Sequence, residues 1–288
     1  MQAIAPAVSF SLKNILLATD FSSGSQVALQ FARGIARRHS SDVYAVHVTG
    51  TDSYQLLQPE PLAITFKQFD EWSDEAPGLL KGLLSGLPDV PPVHHHGRVC
   101  DVIDDVVSRN KIDLLVAATH GRTGLSRMLQ GSVAEELFRN VPCPTLNVGP
   151  EVRSRSSQQF EIQRILLATD LDPHSMAPQY AGWLVQKFNA NLSVLHVRSA
   201  EQRRTDPDMA TLRSSFEEAG FLQDPEFILR DGAPAAEILN VASQVWPDIL
   251  VMGAHHPEPA RIISHWPWDT AARVIAEAKC PVLTVREK

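Results

Sequence analysis

Apolar positions in this chain fall into short unbroken runs, separated by longer stretches with helical spacing. Asn14–Thr19 is one such run, as expected of a strand buried on both faces. The following stretch, SSGSQVALQFARGIARRHS, places Val27, Leu29, Phe31, Ile35 and Ala36 among polar residues. A Ser precedes it and basic residues close it, so it reads as a helix. Val43–Val48 is a second strand, and TFKQFDEWSDEAPGLLKGLLSGL is helical with a break near Pro77-Gly78. Val93–Gly97 is a weak third strand. A helix over Val99–Asn110, a strand over Asp113–Ala118, a helix over Ser132–Asn140 and a last strand over Thr145–Val148 follow. Strands alternating with helices predict a parallel sheet with right-handed crossovers and helices on both faces. In such a sheet ligands sit at the carboxyl ends of the strands, where the strand order switches.

The pattern is written twice. Ile-Leu-Leu-Ala-Thr-Asp occurs at Ile15–Asp20 and again at Ile165–Asp170, an offset of 150. The second strand returns as SVLHV ending at Val197, IDLLVAATH returns as PDILVMGAHH, and CPTLNV at Cys143 returns as CPVLTV at Cys280. Matching segments in one order indicate an internal duplication. GPEVRSRSSQQFE, polar and without periodicity, has the character of a linker. The expected domains are residues 1–150 and 151–288, each a doubly wound α/β unit on a parallel five-stranded sheet.

Bulk properties narrow the class. A chain of 288 residues accommodates two ordinary domains, and 44% apolar with 20% charged residues is a soluble globular balance. The net charge of −7 argues against wrapping nucleic acid or lying on an anionic membrane. No apolar run approaches the ~18–20 residues that span a bilayer. The beginning MQAIAPAVSFSLKN lacks a basic region, so no signal peptide is expected. Three Cys make no disulfide framework, and a cytoplasmic location is the expectation.

Candidate chemistry gathers at the predicted strand ends. Asp20 follows the first strand, where it either contacts a ligand or caps the next helix. His47 and its repeat counterpart His196 read as satisfied core or loop histidines. After the fourth strand comes ATHGRTGLSRMLQGSV, Ala118 to Val133, with Gly121, Gly124 and Gly131. Small residues there let backbone N–H groups approach an anion, and Gly131-Ser132 precedes a helix start that favours phosphate. The competing reading is a glycine turn with a Ser cap. The segment is neither a Gly-Lys-Ser/Thr P-loop nor a G-x-G-x-x-G fingerprint.

The residues ILLATDFS, AVHV, IDLLVAATHGRTGLSRMLQGSVAEEL and CPTLNV together resemble a tandem universal stress protein. ATP-binding members of that family show Gly-x-x-Gly, nine residues, then Gly-Ser/Thr. This chain shows Ala118-Thr119-His120-Gly121, nine residues, then Gly131-Ser132, with Ala118 in place of the first Gly. The resemblance implies an adenine nucleotide alpha hydrolase-like fold, its two halves paired through their last strands as an internal pseudo-dimer. It also implies ATP, with or without Mg, in the first half. Asp20 and Val48 would meet adenine or ribose, and Thr19 and Ala118 would line the cleft. His120, Gly121, Gly131, Ser132 and Val133 would meet the phosphates. In the second half Gly253 matches Ala118, but Trp268-Asp269 stand where Gly131-Ser132 would be. A ring and a carboxylate there predict no phosphate binding in the usual mode, with Asp269 as a helix cap.

Other clusters carry bland readings. In His94-His95-His96 adjacent side chains alternate between faces, so at most two converge, and a solvated segment outweighs zinc. The same holds for His255, His256 and His265. Asp101, Asp104 and Asp105 open a helix, where acids suit the dipole. No nucleophile, acid–base pair or metal constellation stands out, so catalysis is not expected. Two alternatives remain: a slow ATP hydrolase or phosphoryl-transfer enzyme using Ser132 or His120, and a nucleotide-independent interaction scaffold. A further homodimer is compatible with all three.

Overall fold

The computed structural model describes residues 10–49, 75, 77–82, 85, 93–96, 98–119, 141–154, 160–172, 174–198, 208–217, 224–254 and 267–286. Of these, residues 49, 93–96, 215, 217, 254 and 267–269 are described by backbone alone. The chain forms two compact units, Leu12–Cys143 and Met1–Ser11 with Pro144–Lys288.

In the first of these units, β1 (Asn14–Ala18), β2 (Asp42–Thr49), β3 (Val93–His96) and β4 (Leu114–Ala118) are parallel, in the order β3-β2-β1-β4. Helices α1 (Ser23–His39) and α2 (Val99–Arg109) cover the sheet. α1 forms where the spacing predicts it. Ser22 caps it by accepting from the Ser25 N–H, and Arg37, Arg38 and His39 occupy its last turn. Ser40, in the left-handed region at φ 53°, ends it. On the α2 side, Leu16, Val46, Ile103, Val106, Val107 and Leu115 form one buried cluster, with Val48 packed against it. Residue 75 and residues 77–82 are helical, so the stretch is helical as expected, but Pro77 and Gly78 lie within helix where a break was expected. The predicted helix Ser132–Asn140 lies outside the described residues.

The other unit contains β5 (Thr145–Val148), β6 (Arg164–Thr169), β7 (Asn191–Arg198), β8 (Glu226–Asp231), β9 (Ile249–Ala254) and β10 (Val282–Arg286). Its helices are α3 (Ala177–Phe188), α4 (Met209–Glu217), α5 (Pro234–Val245) and α6 (Pro267–Glu277). The order is β5-β10-β9-β6-β7-β8, all parallel except β5, which runs antiparallel to β10. The closing strand of the first repeat therefore packs with the second repeat's last strand. Asn147, 2% exposed, sits in that seam. Its amide nitrogen donates to the Thr145 carbonyl at 3.0 Å, and to the Val282 carbonyl and the Thr284 hydroxyl at 3.1 Å each. Gly149 follows directly. A Cβ there would stand 2.1 Å from the Ile275 carbonyl oxygen of α6, so only glycine allows this approach.

One device recurs in both repeats. The Asp113 carboxylate accepts the backbone N–H groups of Lys13 and Asn14 at 2.8 and 2.9 Å. The Asp248 carboxylate accepts those of Gln163 and Arg164 at the same distances. Each clips the start of its repeat's first strand to the start of the fourth. Equivalent registers confirm the duplication: Ile15 pairs with Leu114, and Ile165 with Ile249.

Candidate functional site

In the first repeat, β1 lies between β2 and β4, so the strand order switches beside it. This switch is flanked by the residues that follow the Ala18–Ala117 pair, namely Thr19 with Asp20 and Ala118 with Thr119. Thr19 and Thr119 are buried, whereas Asp20, Val48 and Ala118 are half-buried. Val48 is at the end of β2, next to β1.

The turn after β1 is held tightly. The Thr19 N–H continues the ladder to the Val46 carbonyl at 2.9 Å. The Thr19 hydroxyl accepts the Phe21 N–H at 3.0 Å, and Phe21 takes a left-handed φ of 61°. Such a conformation costs a non-glycine residue on the order of 1 kcal/mol or more, and the surrounding hydrogen bonds offset it. Asp20 Oδ1 accepts the Ser22 N–H at 3.0 Å and the Ser25 hydroxyl at 2.7 Å. The helix-cap reading of Asp20 is thereby corrected. Ser22 is the cap, and Asp20 braces the turn one step earlier through an Asx-type bond. Sequence reasoning missed Ser25, although an acceptor five residues before a hydroxyl at a helix start was the available signal. The second repeat copies the turn: Thr169 accepts the Leu171 N–H at 3.0 Å, and Leu171 has φ 63°.

His47 is satisfied, as its pattern indicated. Its Nδ1 lies 2.7 Å from the Thr19 carbonyl, and its ring packs on Phe21 with centroids 4.7 Å apart. His196 repeats the contact, with Nδ1 2.9 Å from the Thr169 carbonyl.

Ala118 closes β4 in extended backbone and is not among the residues with positive φ. Its methyl therefore imposes no backbone strain. The register that aligns Leu114 with Ile249 aligns Ala118 with Gly253, as the sequence comparison indicated. His120, Gly121, Gly131, Ser132 and Val133 lie outside the described residues. At the counterpart of the glycine loop, α6 already includes Pro267, so Trp268 and Asp269 lie within the helix. Asp269 is thus not the cap that its residue type indicated, because the helix starts earlier. Asp104 and Asp105 likewise lie in mid-helix, and Asp105 pairs with Arg109 at 2.7 Å. Cys100, Cys143 and Cys280 are buried and form no disulfide. Among the described residues, no helix is long and apolar enough to cross a membrane. No three His, Cys, Asp or Glu among them converge on a metal position.

Comparison with known proteins agrees with this architecture. Universal stress protein Slr1230 from Synechocystis is 24% identical over 311 aligned positions, covering 96% of this chain and 100% of that protein. Universal stress protein MJ0531 from Methanocaldococcus jannaschii is 30% identical over 152 residues, 47% of this chain and 81% of that protein. The crystal structure of a universal stress protein from Archaeoglobus fulgidus superposes with a TM-score of 0.69 at 18% identity. It covers 95% of this chain and 96% of that one, which establishes a shared fold. The model of the universal stress protein family matches residues 11–149 and again 161–286. Two matches that between them take in both repeats place this chain in the universal stress protein family.

Proposed function

We propose that the first repeat, residues 1–150, binds an adenine nucleotide, ATP, and that the second, residues 151–288, is a degenerate and structural copy. The observation that carries this reading is the junction where β1 meets β4. There a braced Asp20 carboxylate, Thr19 and Ala118 meet at a strand-order switch, close to Val48. Parallel α/β sheets bind nucleotides at this place. An Asp held by its neighbours is a preorganised acceptor for ribose or base N–H and O–H groups, and so loses little freedom on binding. His120, Gly121, Gly131, Ser132 and Val133 complete the site by the Gly-x-x-Gly-like spacing and would receive the phosphates, with or without Mg. Trp268 and Asp269 at the counterpart position deny the second repeat that cradle.

The role is a stress-response nucleotide-binding protein of the cytoplasm rather than an enzyme. Calorimetric titration of the full chain with ATP, ADP and AMP tests it. Saturable binding is expected, weakened at least tenfold, or ~1.4 kcal/mol, by Gly131→Val. Absence of binding, or a Gly131→Val variant equal to the wild type, overturns the reading. Asp20→Asn is the sharper second variant, because it keeps an oxygen for Ser22 and Ser25 while removing the charge. Labelled-ATP single turnover abolished by Ser132→Ala would instead establish the hydrolase alternative.

A further inference from the structure

Ser25 stands where the start of α1 folds back on the end of β1. It is the third residue of the helix, and the capping Ser22 side chain accepts its N–H at 3.2 Å. Helical side chains tilt towards the N-terminus, so a polar group at this position reaches back over the cap. Here it reaches past Ser22 to Asp20. The Ser25 hydroxyl donates to Asp20 Oδ1 at 2.7 Å, and accepts the Asp20 N–H at 3.2 Å and the Ser22 hydroxyl at 3.4 Å. A hydroxyl has one donor and two acceptor positions, and all three are used. Ser25 is 3% exposed, so water does not compete for them. The bond to the carboxylate has the length of a charge-assisted contact, the stronger kind. Because one hydroxyl holds Asp20 by its backbone and by its side chain together, the carboxylate has little freedom to rotate.

The second repeat puts the same serine to another use. Ser175 lies 150 positions after Ser25 and holds the same place relative to Asp170, but Asp172 and Pro173 replace Ser22 and Ser23. α3 begins at Ala177, the counterpart of Val27, whereas α1 begins at Ser23. Ser175 therefore precedes its helix, and its hydroxyl accepts the Ala177 N–H at 3.4 Å. Asp170 Oδ1 accepts the Asp172 N–H at 3.2 Å, and Asp170 is exposed where Asp20 is half-buried. Both repeats keep the Asp and the Ser. The early helix start takes the hydroxyl to the carboxylate in the first repeat, and the later start takes it to a helix N–H in the second.

We propose that Ser25 is the positioning residue of the nucleotide site, setting affinity by aiming the Asp20 carboxylate, and that the redeployment of Ser175 is one reason the second repeat is degenerate. The inference rests on nucleotide binding by the first repeat. An acceptor already held in its bound orientation loses less freedom when a ligand arrives, so releasing it weakens binding without removing any contact to the ligand. Ser25 acts through Asp20, so its loss matters only while Asp20 is present.

The test is calorimetric titration of the full chain with ATP and with AMP, on variants shown by circular dichroism to be folded. Ser25→Ala is expected to weaken both nucleotides about fivefold to tenfold. Ser25→Thr, which keeps the hydroxyl, should recover most of that affinity. Added to Asp20→Ala, the Ser25→Ala change should cost less than about twofold, because the group it positions is gone. A serine that only supports the fold would instead give losses that add. Should Asp20→Ala bind too weakly to titrate, the contrast between Ser25→Ala and Ser25→Thr decides. Wild-type affinity in Ser25→Ala, an equal loss in Ser25→Thr, or a full further loss on top of Asp20→Ala overturns the positioning role and leaves nucleotide binding standing. A wild-type chain that binds no nucleotide overturns the nucleotide reading itself, so the two failures are told apart.

Discussion

Removing the Asp248 carboxylate should expose how strongly each repeat depends on its strand clip. In Asp248→Ala the N–H groups of Gln163 and Arg164 lose acceptors at 2.8 and 2.9 Å. Hydrogen bonds to charged groups contribute about 1.5–3 kcal/mol each. Asp248 is 7% exposed, so water replaces little of what is lost. The backbone bond from the Asp248 N–H to the Arg164 carbonyl, 2.8 Å, remains and limits the damage. The expected loss is about 3 kcal/mol, a large share of the 5–15 kcal/mol that ordinary domains possess. Asp113→Ala removes the same pair of bonds from a half-buried carboxylate, so about half that loss is expected. Urea unfolding followed by Trp fluorescence and by circular dichroism measures both, with the slope checked for constancy. A loss below about 1 kcal/mol for Asp248→Ala would refute the reasoning, because two part-buried N–H groups would then lose a carboxylate acceptor almost without cost. So would a larger loss for Asp113→Ala, since the difference rests on burial alone.

Three further expectations concern the β5–β10 seam and the core beneath β4. Gly149→Ala places a methyl 2.1 Å from the Ile275 carbonyl, so the end of β5 or α6 must shift, and a loss of about 1–3 kcal/mol in urea unfolding is expected. Asn147→Ala leaves the Val282 carbonyl and the Thr284 hydroxyl without their donor, and should cost about 1–3 kcal/mol, with slower amide exchange protection lost first along β5 and β10. Burial pushes the Cys143 thiol up to about 12, with a smaller opposing effect from its hydrogen bond to Leu115. The folded chain therefore keeps a proton that the unfolded chain loses near pH ~8.5. This contribution is intact below that pH and declines as pH rises towards 12, so the urea midpoint should fall less above pH 9 in Cys143→Ala than in the wild type.

Much of the fold was legible before any coordinates. The Thr145–Val148 strand coincides with its apolar run, and the β1 and β4 boundaries differ from expectation by a single residue. These elements are buried on both faces, so their apolar runs are continuous and their ends abrupt. The candidate site was legible in part. Thr19, Asp20 and Ala118 do stand at the strand-order switch between β1 and β4, with Val48 on the neighbouring β2, because strand ends in a parallel sheet fall along one edge. The role of Asp20 was not legible, since choosing Ser22 as cap depends on a left-handed residue at Phe21 that residue type does not announce. That α6 already includes Pro267 was likewise hidden, because alignment back from Cys280 counts residues but does not locate a helix boundary.

Sequence alone determined the alternation of strands and helices, the duplication, and the equivalence of Ala118 with Gly253. All of these follow from local periodicity or from self-similarity along one chain. Tertiary structure decided which distant segments meet: β5 antiparallel to β10 around Asn147, the Asp113 and Asp248 clips, and His47 in register with His94. Side-chain periodicity along a strand tells which residues share a face, but not which strand lies beside it or at what offset. Those choices are made by burial and by the hydrogen bonds that distant backbone groups must find once water is excluded.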